Sequence, residues 1–533
     1  MRVALGAFIA LLLGLNIYWI VDNTTPFCWD QSWYMEISAE LFYALKHSIL
    51  TFAQQFTHSF SGLKAPLIAI LPLPFYALLG VTEDVAMIPN LLEIIAFNVL
   101  LYALVRRKLG DKWALVAVLV TSTMPGFVVL SHHFLVEYGL ATLVLLWIYL
   151  LLVSNGYRRW WVDVALGITL GLGLLMKLLF PLHALLPALV VFIMRLREDG
   201  KRGLPKALAQ VGLLLLVGAA IAGTWYIRNW KTALGMGITS GFGAIAEDYA
   251  PGPVLEFSTM LLYWHNIINL HLSAYWFIVL ALLVACAVIL ALVRRNRIRL
   301  DQFDLVCLCW FIVPFVVCTF GKNKDVRYFM PALATIGIAI TLLLHRVLRR
   351  SRLRYAAVGL LALFPLATLL YLYTPTAVFN LDVRWHGLVL VRDKVTENKS
   401  TASAPRHEHW PIDEILTRLD LESEAPDNTL FLFADYPFLN ISNLSNYRTV
   451  EHYDLKIKSA AYLGDGLNLD QLAEQVADSK FVLFKDGDQG IDFTNIYNPT
   501  ALQAILQGQW PYHWVWSIAL PDGSSAQVYQ RTD

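Results

Sequence analysis

Apolar runs long enough to cross a membrane alternate with short polar breaks through the first 374 residues, and then the alternation stops. A crossing needs roughly 20 predominantly apolar residues. Runs near 4–21, 87–105, 112–130, 136–153, 162–178, 180–194, 207–224, 274–293, 303–320, 328–346 and 355–374 approach or meet that length and predict about 11 spans. The first run lacks a small-residue cleavage site and is followed by further spans, so it is expected to be an uncleaved helix. Leu63–Leu79 is apolar too, but Pro66, Pro72 and Pro74 cannot continue a regular helix ladder. It is expected to be an interfacial or re-entrant element within a long first loop, 22–86.

From about residue 375 the chain is polar, with short elements in alternation. Thr429–Ala434 reads as a buried strand, Asp470–Ala477 as a helix and Lys480–Phe484 as the next strand. Val515–Leu520 and Ala526–Gln530 flank Asp522-Gly523 as a hairpin. The expectation is a polytopic all-α membrane bundle over 1–374, with interfacial helices in its first loop, and a C-terminal α/β domain over 375–533.

Charge orients the bundle. Basic clusters stand at 106–108, 158–159, 195–202, 294–299 and 346–354. With a cytoplasmic N-terminus and 11 spans, all of them fall on the cytoplasmic side, as the positive-inside bias requires. The first loop, the tail and the loops at 131–135, 225–273 and 321–327 are then exterior, and a bacterial plasma membrane is the expected location. Charged residues make up 15% of the chain against about 25% in soluble domains. Nothing in this pattern suggests nucleic-acid binding. Of the five cysteines, Cys286, Cys307, Cys309 and Cys318 lie in apolar runs, and Cys28 has no evident exterior partner, so no disulfide framework is expected. Asn23, Asn398, Asn440 and Asn443 head Asn-Xaa-Ser/Thr triplets, which do not establish a eukaryotic origin.

Within this topology a few polar residues stand out. Asp30, in Pro26-Phe27-Cys28-Trp29-Asp30-Gln31-Ser32-Trp33, follows the first span closely and sits among aromatics that favour the interface. A carboxylate there can deprotonate an acceptor while a lipid-borne donor approaches, or it can be a wet loop acid. Glu36 and Glu40 follow at i, i+4, with Trp33, Ile37 and Leu41 on another face. That pattern reads as an amphipathic helix lying on the membrane with the glutamates as its wet face. Lys64 can snorkel or meet a lipid phosphate. His133 and Glu137 are spaced to share a helix face, but two ligands do not make a metal site, and Glu137 at a span edge suits a cavity better. Lys177 and Glu93 interrupt apolar runs; snorkelling and a buried hydrogen-bonded pair are their ordinary explanations. Arg228, Lys322, Lys324 and Arg327 are basic on the exterior side, against the trend, and an anionic lipid head group would account for them.

These features occur in a recognisable order: an Asp after the first span, Lys64-Ala65-Pro66-Leu67 closing the first loop, an acid after the third span, Gly171-Leu172-Gly173-Leu174-Leu175-Met176-Lys177, and Arg327-Tyr328-Phe329-Met330-Pro331. Over about residues 1–350 the chain resembles the GT-C membrane glycosyltransferases, in particular bacterial protein O-mannosyltransferase and aminoarabinose transferase-like proteins. The resemblance implies transfer of a sugar from a polyprenyl phosphate or diphosphate carrier to an exterior acceptor, whether protein, glycolipid or glycan. It implies Asp30 as general base, Lys64, Arg228, Arg327 and Tyr328 near the donor phosphate, and Glu137, His133, Lys177 and Lys324 as further site candidates. No cofactor is implied. Gln31 stands where the family often has Glu, Ala65 replaces a Pro, and the first loop has no Asp-Xaa-Asp, which argues against the metal-dependent oligosaccharyltransferase branch. A lipid-linked polysaccharide polymerase or ligase would not explain the acid directly after the first span. A transporter would want its charges near the bilayer midplane, where only Glu93 lies, and a scaffold would leave Asp30, Lys64 and Arg327 without a role.

Overall fold

A computed structural model describes residues 1–248, 252–294, 300–348, 354–394, 401–421, 428–461, 463–464 and 466–532. The basic stretches 295–299 and 349–353, and Asn398, lie outside the described residues. Among the described residues nine helices are long and apolar enough to cross a membrane: Arg2–Asp22, Glu83–Leu109, Val136–Val153, Phe180–Asp199, Leu204–Glu247, Ala274–Val293, Gln302–Phe320, Val326–Val347 and Arg354–Tyr373. The expected count of about 11 is revised in two places. The run at 112–130 is broken into Asp111–Ser122 and Pro125–Ser131, bent by 71°, because Pro125 cannot donate to the preceding turn. Counted as one span, this pair makes ten. The run at 162–178 forms a 17-residue helix, Trp160–Met176, just short of a full crossing.

The helices carry chemistry-bearing residues at one end and the described parts of the basic clusters at the other. In Ile88–Leu109, Asn90 donates to the carbonyl of His133 (2.8 Å) at one end, and Lys108 donates to Asp304 (3.0 Å) at the other. That helix has 22 residues, so at 1.5 Å per residue its ends are about 33 Å apart. Glu137 opens Val136–Val153, and Arg158, which follows its far end, pairs with Asp199 (2.6 Å).

The first loop folds onto the end that holds Asp30. Asp30–His47 and Ile49–His58 form a pair joined at Ser48, whose hydroxyl accepts from the Thr51 N–H. Leu63–Leu79 resolves into two short helices, Leu67–Ile70 and Leu73–Leu79, with Pro72 between them. The helix Asp30–His47 does not lie with an open wet face as its pattern suggested. Half of its residues are buried, Glu36 pairs with Arg448 (3.2 Å), and Glu40 accepts from Gln55 (2.7 Å). Burial, with the Glu40 charge beside it, pushes the Glu36 carboxyl up to about 8 although Arg448 opposes this.

Beyond the last apolar helix come a small hairpin, β1 (Val383–Trp385) and β2 (Leu388–Val391), and a five-stranded sheet. The sheet comprises β3 (Thr429–Phe433), β4 (Lys456–Ser459), β5 (Phe481–Lys485), β6 (Tyr512–Ala519) and β7 (Ser525–Arg531), in the order β4-β3-β5-β7-β6. β3 pairs with β4 and β5 in parallel, and β7 lies antiparallel between β5 and β6. β3 and β5 are buried along their whole length, as central strands covered on both faces must be. One covering layer reaches the first loop: Cys28 packs in the same cluster as Trp410, Leu416 and Phe438.

Gly62 shows how tightly the first loop is held. Phe60, Ser61 and Gly62 have successive positive φ angles of 54°, 50° and 77°, and a Cβ on Gly62 would lie 2.8 Å from Asn229 Oδ1. The adjoining contacts, Trp225 to the Ser59 hydroxyl (3.2 Å) and Asn229 to the Thr57 carbonyl (2.9 Å), tie this turn to the long helix Leu204–Phe242. Gly62→Ala is therefore expected to lower thermal stability by about 1–2 kcal/mol, since strain adds to the clash. Thermal unfolding of purified protein followed by fluorescence checks this; an unchanged midpoint would refute it.

Candidate active site

Asp30 is the first residue of its helix, and the residue before it is strained. Trp29 has φ 39° and ψ −112°, a conformation costly for a bulky side chain. The Trp29 indole N–H donates to Asp435 Oδ1 at 2.9 Å, so the C-terminal domain holds the strained residue from outside. Gln31, the next residue, is buried and joins two loops: its amide donates to Cys28 Sγ (3.0 Å), and its carbonyl oxygen accepts from the Phe134 N–H (3.0 Å). Asn443, also from the C-terminal domain, donates to the Phe27 carbonyl and to the Ser32 hydroxyl.

This frame aims the Asp30 carboxylate at two cations. Lys64 donates to Oδ1 at 2.6 Å, and the Arg327 guanidinium lies 3.9 Å from Oδ2. Burial alone would push the carboxyl up, but Lys64 and then Arg327 outweigh it and hold Asp30 down at about 2. Its position at a helix N-terminus also favours the charged form. Lys64 Nζ stands 4.6 Å from the Trp33 ring centroid and 5.0 Å from that of Tyr34, so two aromatic faces guide it. Arg327 is gripped by Asp325, with guanidinium nitrogens 2.7 and 2.9 Å from Oδ2. Arg327 holds the Asp325 carboxyl below its usual range although burial opposes it.

A second ion pair adjoins the first. Lys177 donates to Glu137 at 2.8 Å, and its ammonium lies 4.6 Å from the Tyr328 ring centroid. Glu137 is 3% exposed, and its other oxygen, Oε2, has no partner within the protein. A break after Met176 makes this possible: Lys177 is extended (φ −160°) rather than helical and turns back toward the site.

Among the described residues, three of the candidates take no part in these ion pairs. Lys324 caps a helix end: its ammonium donates to the Thr319 (2.7 Å) and Cys318 (3.3 Å) carbonyls at the C-terminus of Gln302–Phe320. His133 precedes the helix that carries Glu137 instead of sharing a face with it. It packs edge-on against Trp19, and burial pushes it down to about 4. Arg228 is exposed on Leu204–Phe242, and among the described residues no ion pair joins it to the Asp30 cluster. Glu93, for which a hydrogen-bonded pair was the ordinary expectation, lies against Gly139, where a Cβ would come within 2.4 Å of its Oε1. Among the described residues no three His, Cys, Asp or Glu side chains gather closely enough to hold a metal ion.

A cavity of about 540 Å³ opens beside Asp30 and Arg327. Gln31, Lys324, Asp325 and His271 line it from the helical bundle, and Ile491 and Phe493 line it from the C-terminal domain. Sequence reasoning missed Asp325, His271 and Asp435. Asp325 lies inside the loop 321–327, whose basic residues drew attention. His271 sits on a π-helical turn, Ile267–Leu272, that apolar periodicity does not reveal. Asp435 meets Trp29 across more than 400 residues of chain.

Comparison with known proteins agrees with this architecture. Residues 64–226 match the family model of dolichyl-phosphate-mannose-protein mannosyltransferase. No curated protein matches the chain by sequence. Among solved structures, ArnT from Cupriavidus metallidurans bound to undecaprenyl phosphate is similar, with a TM-score of 0.57 and 15% identity over 98% of each chain. Its apo state gives a TM-score of 0.56 at the same identity and coverage. An Archaeoglobus fulgidus oligosaccharyltransferase, solved with zinc and sulfate, gives 0.52 at 14% identity over 97% of this chain and 72% of that one. The GT-C resemblance read from the sequence is thereby borne out, the fold by the solved structures and a glycosyltransferase segment by the family model. The chain is a multi-pass membrane protein that carries a segment matching a glycosyltransferase family.

Two outcomes are expected. Asp435→Ala removes the acceptor that holds Trp29 and should reduce sugar transfer, while Asp435→Asn keeps an oxygen there and should retain most of it; equal loss in both would detach Asp435 from the Trp29 contact. Glu137→Gln leaves the Lys177 charge without its buried partner and should cost about 3–5 kcal/mol of stability, whereas Glu137→Gln with Lys177→Met should recover much of it. Unfolding midpoints of the single and double variants decide the point.

Proposed function

We propose that this protein transfers a sugar from a polyprenyl-phosphate carrier to an acceptor hydroxyl at the exterior membrane face, by a single inverting displacement with Asp30 as general base. The observation that carries this reading is the contact of Asp30 with Lys64 and Arg327 at the wall of a cavity that is large enough for a sugar head group. The ArnT structure bound to undecaprenyl phosphate supports a lipid carrier of that kind.

The charges explain how the site could work. Lys64, Arg327 and Lys177 stand against Asp30, Asp325 and Glu137, so the resting cluster is balanced. With its carboxyl held near 2, Asp30 is a weak base while it is paired. An arriving phosphate brings negative charge that competes for Lys64 and Arg327. Drawing Lys64 off Asp30 removes the interaction that depresses it, and burial then raises its basicity. The same cations stabilise the phosphate as it leaves. In the transfer step the acceptor oxygen bonds to the anomeric carbon and gives its proton to Asp30. The bond from that carbon to the phosphate oxygen breaks, and its electron pair stays on the carrier. Donor binding thereby both supplies the leaving group and frees the base.

The test uses full-length protein reconstituted in vesicles, with a panel of radiolabelled polyprenyl-phosphate sugars and release of the lipid phosphate as the readout. Asp30→Asn is expected to abolish release while the protein remains folded; near-normal release would sink the base assignment. In free enzyme Asp30 is charged above about pH 2 because Lys64 depresses it. Lys64→Ala removes that depression, so the acid limb of its residual kcat/KM should move to higher pH. An unmoved limb would separate Asp30 from the proton transfer.

A further inference from the structure

Between the last apolar helix and the C-terminal sheet runs a strap, 375–391, that the proposed chemistry does not use. It carries five large apolar residues in open positions: Val378 (73% exposed), Phe379, Leu381, Val383 and Trp385 (56%). A water-facing segment of a soluble domain rarely gathers that much apolar surface. Val383 and Trp385 stand two residues apart on β1 and so share one face. β1 and β2 close through His386 and Gly387, with φ 46° and 80°, the pair of positive angles that a tight two-residue hairpin needs. The exposed face is therefore part of a folded element.

The strap's height is fixed by two apolar helices. At the end of Arg354–Tyr373, the Tyr371 hydroxyl accepts from the Leu381 N–H at 2.7 Å and lies 2.9 Å from the Leu381 carbonyl. Just before Ala274–Val293, Asn269 donates to the Gly387 carbonyl (3.1 Å) and accepts from the Val389 N–H (3.1 Å), and His265 contacts the Gly387 carbonyl at 2.6 Å. The first anchor sits at the end of a helix long enough to cross a membrane, and the second lies on the short turns that lead into another such helix. Leu370, the residue before Tyr371, is half exposed on its helix, so the strap's apolar face continues a surface that already meets acyl chains.

From these contacts we propose that the face of Val378, Phe379, Val383 and Trp385 is seated in the head-group region of the lipid leaflet beside the cavity. The partner is the lipid surface itself. Trp at that depth is favoured by its amphipathic ring, and the Arg384–Asp382 pair (2.9 Å) on the strap suits the polar head groups. The seat bears on the site: Arg392, which follows β2, donates to the Leu270 carbonyl at 3.3 Å, and Leu270, His271 and Arg392 all line the cavity. Lipid contact at the strap thereby sets the level of the cavity wall relative to the leaflet from which a lipid-borne substrate enters. The proposal rests on the membrane-spanning helices and is independent of the sugar chemistry.

The experiment labels full-length protein with the environment-sensitive fluorophore NBD at Val378→Cys, Trp385→Cys or Leu506→Cys, each in a background with Cys286→Ser and Cys309→Ser. Leu506, exposed on a helix of the C-terminal domain, is the water-facing control. Each protein, checked for a monodisperse elution profile, is reconstituted in phosphatidylcholine–phosphatidylglycerol vesicles with rising fractions of shallow spin-labelled lipid. The probes at Val378 and Trp385 should emit blue-shifted light and lose most of it to the quencher, while the probe at Leu506 stays unquenched. Quenching at Trp385 no greater than at Leu506 overturns the proposal. Phe379→Cys, labelled in the same way, keeps the test decisive if the Trp385 variant does not fold.

Discussion

The structure depends on one constraint: opposite charges have been gathered in a partly buried cluster, so each must be met by a partner. Asp30, Lys64, Glu137, Lys177 and the Asp325–Arg327 pair come from five separate segments, and each charge is held within reach of an opposite one. In such surroundings a lone charge costs several kcal/mol, while a pair roughly offsets its own desolvation. The cluster therefore adds little net stability. What it gives is a site whose three cations and three anions balance at rest.

The constraint reaches outward through the backbone. Lys64 can face Asp30 because the positive-φ turn before it packs against Asn229. Lys177 can face Glu137 because its helix stops at Met176. Trp29 can hold a strained conformation because Asp435 accepts its indole proton. The C-terminal domain thus acts as a brace on the loop that carries Asp30, as well as supplying Ile491 and Phe493 to the cavity. The long helix Leu204–Phe242 contributes through Trp225 and Asn229, which support the Lys64 turn, while the neighbouring Arg228 faces outward.

Much of this was legible in the sequence, for physical reasons. Apolar runs near crossing length are unambiguous in lipid, where every backbone group must be satisfied within the helix, so the bundle and the change of character near 375 could be read directly. Strands such as Thr429–Phe433 and Phe481–Lys485 announce themselves as continuous apolar stretches. Asp30, Lys64, Arg327, Glu137 and Lys177 were visible because charge is scarce near the membrane, and scarcity gives each residue weight. The partnerships were not legible. Nothing local links Glu36 to Arg448 or Trp29 to Asp435, so a helix that looks amphipathic and membrane-lying proved to be covered by the tail. His133 suits a site by type and position but packs against the Trp19 ring, while Lys324 both caps a helix end and lines the cavity.

Gln31 follows from the same charge balance. The resemblance sets a carboxylate at this position in many relatives, beside the one at Asp30. Here the side chain is buried and spends both ends of its amide on neutral groups, the Cys28 sulfur and the Phe134 N–H. Burial pushes the Cys28 thiol up to about 12, so it stays protonated and brings no charge of its own. A carboxylate in that seat would add a negative charge to a cluster whose three cations already meet three anions. It would also press on Asp30, since like charges that share a site drive one of the two toward protonation. A neutral amide keeps the loops joined without that effect. Among the described residues Asp30 then stays the one carboxylate paired with Lys64, so a phosphate drawn to Lys64 would compete with Asp30 directly.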